Sequence, residues 1–211
     1  MRSGRTLTRS FYERPTVTVA RELIGKVLVH ESTTARIVET EAYLAHDEQG
    51  RIDFAAHAAR GITNATRVIF GKPGYAYVYL IYGMYECLNI VAEPAGKAGC
   101  VLIRAVEPLE GIEQMRERRG VEAIKKLANG PGKLTLALGI SRAHNGQDVT
   151  RGSLVVKDDG ARPASIGVSP RIGIRHSADW PLRFFEAGSE FVSTAPGFPR
   201  AVAARPRVPN R

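Results

Sequence analysis

The chain has 211 residues, 44% hydrophobic and 24% charged, which suits an ordinary globular protein with room for one core and not for two full domains. No apolar run approaches the ~20 residues that cross a bilayer, and the arginine-bearing start lacks the apolar centre of a signal peptide, so an intracellular protein without membrane association is expected. The net charge is +9, yet Arg2, Arg5 and Arg9 at one end and Arg200, Arg205, Arg207 and Arg211 at the other leave only +2 on residues 11–194, so the basicity belongs to the ends.

Such ends attract phosphate in a salt-dependent, non-specific way. The expected organisation is a basic tail over 1–10, one domain over 11–194, and a Pro- and Arg-rich tail over 195–211 with too little to pack. Cys87 and Cys100 sit in apolar runs without metal-ligand spacing and read as buried thiols in a reducing compartment.

Val17 to Val29 reads as a short amphipathic helix, with Thr18 as a possible cap, running through Gly25 into a strand at Lys26 to His30. The next stretch, Arg36-Ile-Val-Glu-Thr-Glu-Ala-Tyr43, has the pattern of a strand. Alternation puts Ile37, Glu39, Glu41 and Tyr43 on one face and the small apolar Val38, Thr40, Ala42 and Leu44 on the other. The second face can pack on a core, which leaves the glutamates facing a cleft. Taken alone, the segment reads more readily as an edge strand with a solvated face.

His46 to Arg51 is a polar loop, and Ile52 to Arg60 has helical composition with His57 among alanines, a position that usually holds a structural histidine. Gly61 to Gly74 is loop-rich and closes on a Lys72-Pro-Gly74 turn. Two β-rich runs, Tyr75 to Gly83 and Met84 to Val91, read as a hairpin with Gly83 supplying the positive φ of a tight turn. Five of the seven tyrosines fall between 75 and 85. Tyr75 and Tyr77 suit a core, but a large ring at the tip, Tyr82, has little protein to pack on and calls for an external apolar partner. Proteins that kink a duplex insert such wedges between base steps from the minor groove.

Gly99 to Val106 is a near-continuous apolar strand with Arg104 in its middle. A buried unpaired guanidinium is very costly, so Arg104 must reach an anion or a wet cavity, and Glu39 or Glu41 is the candidate. A carboxylate held there would stay ionised and available to a water molecule. Glu110 to Arg119 reads as a helix. Asn129-Gly-Pro-Gly-Lys133 resembles a phosphate loop only superficially, since Leu127 and Leu134 replace its first glycine and its Ser/Thr, and a nucleotide-binding loop is rejected. The turn can still start a short helix from Lys133 to Leu138, whose free amides suit a backbone phosphate. Asn145-Gly146 marks a turn, Ser153 to Lys157 and Pro170 to Ile174 read as strands, and Trp180 to Phe185 as core.

A cleft with a glutamate, an arginine, several tyrosines and a ring on a projecting hairpin suits chemistry on an extruded base. Hydrolysis of its N-glycosidic bond needs an activated water and a carboxylate to balance an oxocarbenium-like sugar.

Arg36 to Tyr43, Phe70-Gly-Lys-Pro-Gly74, Tyr77-Val-Tyr-Leu-Ile-Tyr-Gly-Met84, Val101-Leu-Ile-Arg-Ala-Val-Glu-Pro108, Gly130-Pro-Gly-Lys-Leu134 and Arg171-Ile-Gly-Ile174, in this order, closely resemble the alkyladenine (3-methyladenine) DNA glycosylases. The blocks span most of residues 11–192. The resemblance implies a single mixed α+β domain around a curved antiparallel sheet, with a protruding hairpin that enters the minor groove. It implies that Glu41 is the general base, that Arg104 and the backbone of Ile172 help to hold the water, and that Tyr43, His57 and Tyr79 sandwich the flipped base. It further implies that Tyr82 takes the base's place in the duplex, with Met84 and Lys133 as further DNA contacts, and that Asn89 lies against the purine edge and excludes the guanine amino group. The implied enzyme is a monofunctional monomer acting on double-stranded DNA with damaged purines, without metal or cofactor, and no lysine stands out beside the site as an amine nucleophile. Between Tyr43 and His57 the chain carries extra residues, His46 to Arg51, so His57 is placed across a gap, and Gly61 to Arg67 lacks the family's Thr-x-Arg-Asn wording. Two other readings use the same residues: a non-catalytic nucleic-acid module in which Glu41 merely pairs with Arg104, and a metalloenzyme built on Glu39, Glu41, His46 and His57, whose spacing matches no ligand pattern.

Overall fold

The computed structural model describes residues 4–194. The chain opens with β1 (Arg5–Thr6) and α1 (Arg9–Tyr12), then α2 (Thr16–Leu23), β2 (Val27–His30) and β3 (Thr33–Leu44). Two single turns of 3-10 helix, His57–Arg60 and Arg67–Phe70, lead to the hairpin β4 (Ala76–Ile81) and β5 (Tyr85–Val91). β6 (Gly99–Glu110) follows, then α3 (Ile112–Arg119), α4 (Ile124–Leu127), α5 (Pro131–Leu138), a third 3-10 turn at Arg142–His144, β7 (Leu154–Asp158), β8 (Ile166–Ser169) and β9 (Arg183–Glu186).

Among the described residues the strands form one antiparallel sheet in the order β1-β7-β2-β3-β6-β5-β4, with β9 on β3 and β8 on β9. This is a single mixed α+β domain on a curled antiparallel sheet, as the sequence led us to expect. Its centre is β3. One edge pairs with β6 along its length, while the other gives Thr33 to Arg36 to β2 and Glu39 to Glu41 to β9.

Where β3 changes neighbours its register slips: Ile37 faces Val106 but Glu39 faces Ala105, so Val38 is an extra residue. Such a bulge bends the strand and reverses its alternation. Ile37 therefore leaves the glutamates' face, contrary to simple alternation, and packs with Ala42 and Leu44 in the main core. Val38 crosses the other way, into a small cluster with Ala105, Phe185 and Val192. Thr40 stays on the core face, donating to the carbonyl of Ala20.

The main core lies between this face and the helices. α2 buries Val19, Ala20 and Leu23, each of the large side chains adding roughly 1.5–3 kcal/mol relative to exposure. The helix is shorter than expected. It starts at Thr16 and ends at Leu23, and Thr18 does not cap it; the Glu93 carboxylate accepts from the Thr16 amide at 2.7 Å and its hydroxyl at 2.9 Å instead. A carboxylate at a helix start is favoured by the unpaired amides and the dipole there.

Three further expectations are corrected. Ile52 to Arg60 is helical only over the single turn from His57, because Ala56 is extended and Asp53 turns its carboxylate inward onto the Leu44 amide. Pro170 to Ile174 is not a strand; the strand is Ile166–Ser169, after which Pro170 offers no donor and Gly173 adopts φ +74°. α5 begins at Pro131, two residues before the expected start. Within the segment 1–10, Arg5 and Thr6 pair with β7, and Arg9 donates to Asp148 and to the Pro73 carbonyl. The expected disorder of 195–211 lies outside the described residues. Among the described residues no helix is long and apolar enough to cross a membrane.

Candidate active site

Glu41 stands on β3 opposite Leu102 of β6 and Arg183 of β9, so strands on both sides fix its backbone. Its side chain is fully buried. Oε1 accepts from the Ile172 amide at 2.8 Å and lies 3.5 Å from Arg104 Nη1, and Oε2 accepts from the Tyr43 hydroxyl at 2.9 Å. The irregular Pro170–Ile174 segment makes the first of these possible, because a strand would have spent the Ile172 amide on its ladder. Burial pushes the Glu41 carboxyl above the ordinary carboxylate range, against the opposing pull of Arg104, the Ile172 amide and Tyr43. Desolvation outweighs the Arg104 charge in setting that direction. Burial and the Glu41 charge also push the Tyr43 hydroxyl well up, so it remains a donor.

Tyr43, Arg104 and Ile172 line a cavity of about 590 Å³ together with His57, Tyr79, Tyr82, Tyr85, Cys87, Arg119 and residues 130–133. Glu41 reaches this space through the three groups that surround it. That volume is in the range of small-ligand sites.

The extra residues before His57 do not displace it: His46 bridges Ile52 and Asp47 closes the intervening turn by accepting from the Gln49 and Arg51 amides. His57 then enters the cavity, its Nδ1 2.8 Å from the Tyr77 hydroxyl. Burial, then the Arg60 charge, lowers its pKa and favours the neutral imidazole, while burial pushes the Tyr77 hydroxyl up to about 12. The rings of His57 and Tyr79 touch edge-on at 4.5 Å, which leaves no space for a base between them. They line one small cleft together with Tyr43. Arg171 lies 4.6 Å from the Tyr43 ring centre. Asn89, buried on β5, lines a small cleft with Tyr43, His57 and Tyr79; its Nδ2 donates to the Tyr77 carbonyl at 3.2 Å and its Oδ1 faces Cys100 Sγ at 3.8 Å. Both cysteines are free and buried.

The hairpin turns through Tyr82 at φ +54° and Gly83 at φ +69°, the two successive positive values of a type I′ turn. A tyrosine in this region is strained. It is also 78% exposed, and Met84 is 68% exposed. The start of β5, just past the tip, is pressed onto α5: a Cβ on Gly132 would meet Tyr85 at 2.9 Å. Lys133 lies in the cavity wall, its Nζ donating to Asn129 Oδ1 at 2.9 Å, so a lysine does accompany the site. Burial, then the Arg119 and Lys126 charges, lowers its pKa, the signature of a crowded cationic rim.

Nine of the ten candidate residues read from the sequence thus fall on the cavity, its cleft or the hairpin beside it, and Glu41 lies fully buried behind the lining groups Tyr43, Arg104 and Ile172. Three ionic partners were missed, Arg171, Asp53 and Arg183. Arg171 and Asp53 form a pair with no exposure at all, through contacts of 2.6 and 2.8 Å. Arg183 donates to Glu39 at 2.6 Å, and Arg104 Nε lies 3.2 Å from the same carboxylate. The reasoning applied to Arg104 would have found Arg183, which also sits in an apolar run, Leu182-Arg-Phe-Phe185.

The methylpurine-DNA glycosylase family model matches residues 10–190 of this chain. A protein of Methanoculleus marisnigri, provisionally named a 3-methyladenine DNA glycosylase, is 49% identical over 195 residues, covering 89% of this chain and 98% of its own length. Proteins carrying the same provisional name in Chlorobaculum tepidum and Methanocella arvoryzae are each 47% identical, covering 92% and 90% of this chain and 93% and 98% of their own. The chain belongs to the methylpurine-DNA glycosylase family and is a DNA glycosylase, a hydrolase of N-glycosidic bonds.

Proposed function

We propose that this glycosylase is monofunctional, flips an alkylated or deaminated purine out of duplex DNA, and hydrolyses its bond to the sugar with a water activated by Glu41, opening base excision repair. The observation that carries the reading is Glu41 itself, a fully buried carboxyl of raised basicity held by a backbone amide, a tyrosine and an arginine beside an aromatic-walled cavity. The water gives its proton to Glu41 as its oxygen bonds to C1′, and the C1′–N bond breaks with its electron pair going to the base. A purine alkylated at N3 or N7 already carries positive charge and leaves neutral; a deaminated purine must gain a proton as it leaves. Until the new bond forms, the ionised Glu41 balances the positive sugar.

In this reading Arg104 and the backbone of Ile172 hold the water, and Tyr43 faces His57 and Tyr79 across the base. Asn89 meets the purine edge and rejects the guanine amino group. Tyr82, with Met84 beside it, fills the gap in the stack, which is supported by an exposed, strained ring at the hairpin tip. Lys133 meets a phosphate as part of the cationic rim with Arg119, and the protein acts as a monomer on damaged double-stranded DNA. The test is a panel of duplexes with single 3-methyladenine, 7-methylguanine, hypoxanthine or ethenoadenine lesions, scored for abasic sites. Release from alkylated duplexes without a borohydride-trapped adduct is expected. No release from any of them, or a trapped adduct on Lys133, would overturn the reading.

A further inference from the structure

We propose that Glu39 is a positioning residue: anchored by Arg183 and Ser193, it fixes the Arg104 guanidinium beside Glu41. The inference rests on the reading of Glu41 as the base. Glu39 has no exposure, and its carboxylate accepts from Arg183 Nε at 2.6 Å, the Ser193 amide at 2.7 Å and the Ser193 hydroxyl at 2.8 Å. Arg183 is held in turn by Ser169 at 2.9 Å and by the Phe185 ring, 4.4 Å from its centre. These donors occupy most of what a carboxylate can accept.

Arg104 takes what is left. Its Nε is buried and makes no well-aligned hydrogen bond among the described residues, lying 3.2 Å from Glu39 Oε1, while Nη1 lies 3.5 Å from Glu41 Oε1. The guanidinium is therefore located by the charge of two carboxylates rather than by tight bonds. A Glu39 without Arg183 and Ser193 would draw Arg104 away from Glu41. A neutral residue at 39 would leave the guanidinium with Glu41 as its one remaining carboxylate and its orientation unfixed. Two carboxylates and two guanidiniums make the cluster electrically balanced, and its anchor comes from residue 193, far along the chain.

The groups facing Glu41 are Glu39 and Tyr43 on its own strand, Arg104 on β6, Cys87 on β5, Arg183 on β9 and the Ile172 amide, with Arg171 behind Tyr43. Glu39 adds to the rise of the Glu41 pKa and Arg104 opposes it. Substitutions at Glu39 and at Ser193 thus give opposite signs. Glu39→Gln removes the negative neighbour, so Glu41 ionises more easily and the acid limb of single-turnover base release moves to lower pH. The rate above that limb falls roughly 10- to 100-fold as Arg104 loses its place. Ser193→Ala removes one donor from Glu39, which then draws on Arg104, and the limb moves to higher pH.

Single-turnover pH profiles of the full chain on a lesion duplex, for Glu39→Gln, Ser193→Ala and Glu41→Gln, decide the matter. Opposite displacements of the limb, with Glu41→Gln inactive, are the expected result. Both limbs at the wild-type position, with Glu41→Gln inactive, would reduce Glu39 to a structural ion pair and refute the proposal alone. Wild-type release by Glu41→Gln would remove the reading it rests on, and the proposal with it. If Glu39→Gln does not fold, the sign of the Ser193→Ala displacement decides.

Discussion

Replacing Asp53 by asparagine tests the buried pair that supports the site. Asp53 Oδ2 and Oδ1 lie 2.6 and 2.8 Å from Arg171 Nη1 and Nη2, both side chains have no exposure, and Oδ2 also accepts from the Leu44 amide at 3.2 Å. Arg171 spends its other contacts on the carbonyls of Ala42 and Ser177. The substitution removes the counter-charge and turns an amide donor towards a guanidinium, leaving an uncompensated buried cation at a cost of about 3–5 kcal/mol. A domain of this kind has roughly 5–15 kcal/mol in total. The melting temperature should drop by roughly 6–20 °C. Urea unfolding followed by circular dichroism should show a lower midpoint with an unchanged slope. The exposed Arg51–Asp47 pair, with Arg51 65% exposed, is the control: Arg51→Ala should cost less than about 1 kcal/mol. A loss below about 1 kcal/mol for Asp53→Asn as well would refute the idea that this pair holds the Arg171–Ile174 segment in place.

Two further outcomes follow from the geometry. Tyr82→Ala should leave stability within about 0.5 kcal/mol of wild type, since the ring is largely exposed at the hairpin tip, yet should weaken flipping, read as a smaller fluorescence change from a base analogue in the duplex; an unchanged signal would remove Tyr82 from the DNA contact. For Arg104→Gln the sign follows from Glu41: the base works only when ionised, its pKa is already raised by burial, and Arg104 opposes that rise. Losing Arg104 should move the acid limb of base release to higher pH, and a limb that stays put or moves down would show that Arg104 does not act on Glu41.

Much of this was legible in the residues because the signals were local. Alternation with Gly83 marks the hairpin, and an arginine inside an apolar strand marks a buried anion. The bulge at Val38 was not legible, since one extra residue leaves no composition signature and appears only as a slipped register against β6. Nor was Asp53–Arg171, whose members are 118 residues apart and meet only because the chain returns over the sheet. Pro170 to Ile174 has strand-like composition, but its backbone serves a side chain instead of a neighbouring strand. The irregular and long-range features missed are those that set the chemistry of Glu41.

The most direct measurement is single-turnover base release from a duplex with one alkylated purine, by wild type and by Glu41→Gln, with binding of the same duplex measured alongside. Release should fall by about 10²- to 10⁴-fold, the span general-base catalysis supplies, while lesion binding is retained. Release by Glu41→Gln within a small factor of wild type would contradict the assignment of the base.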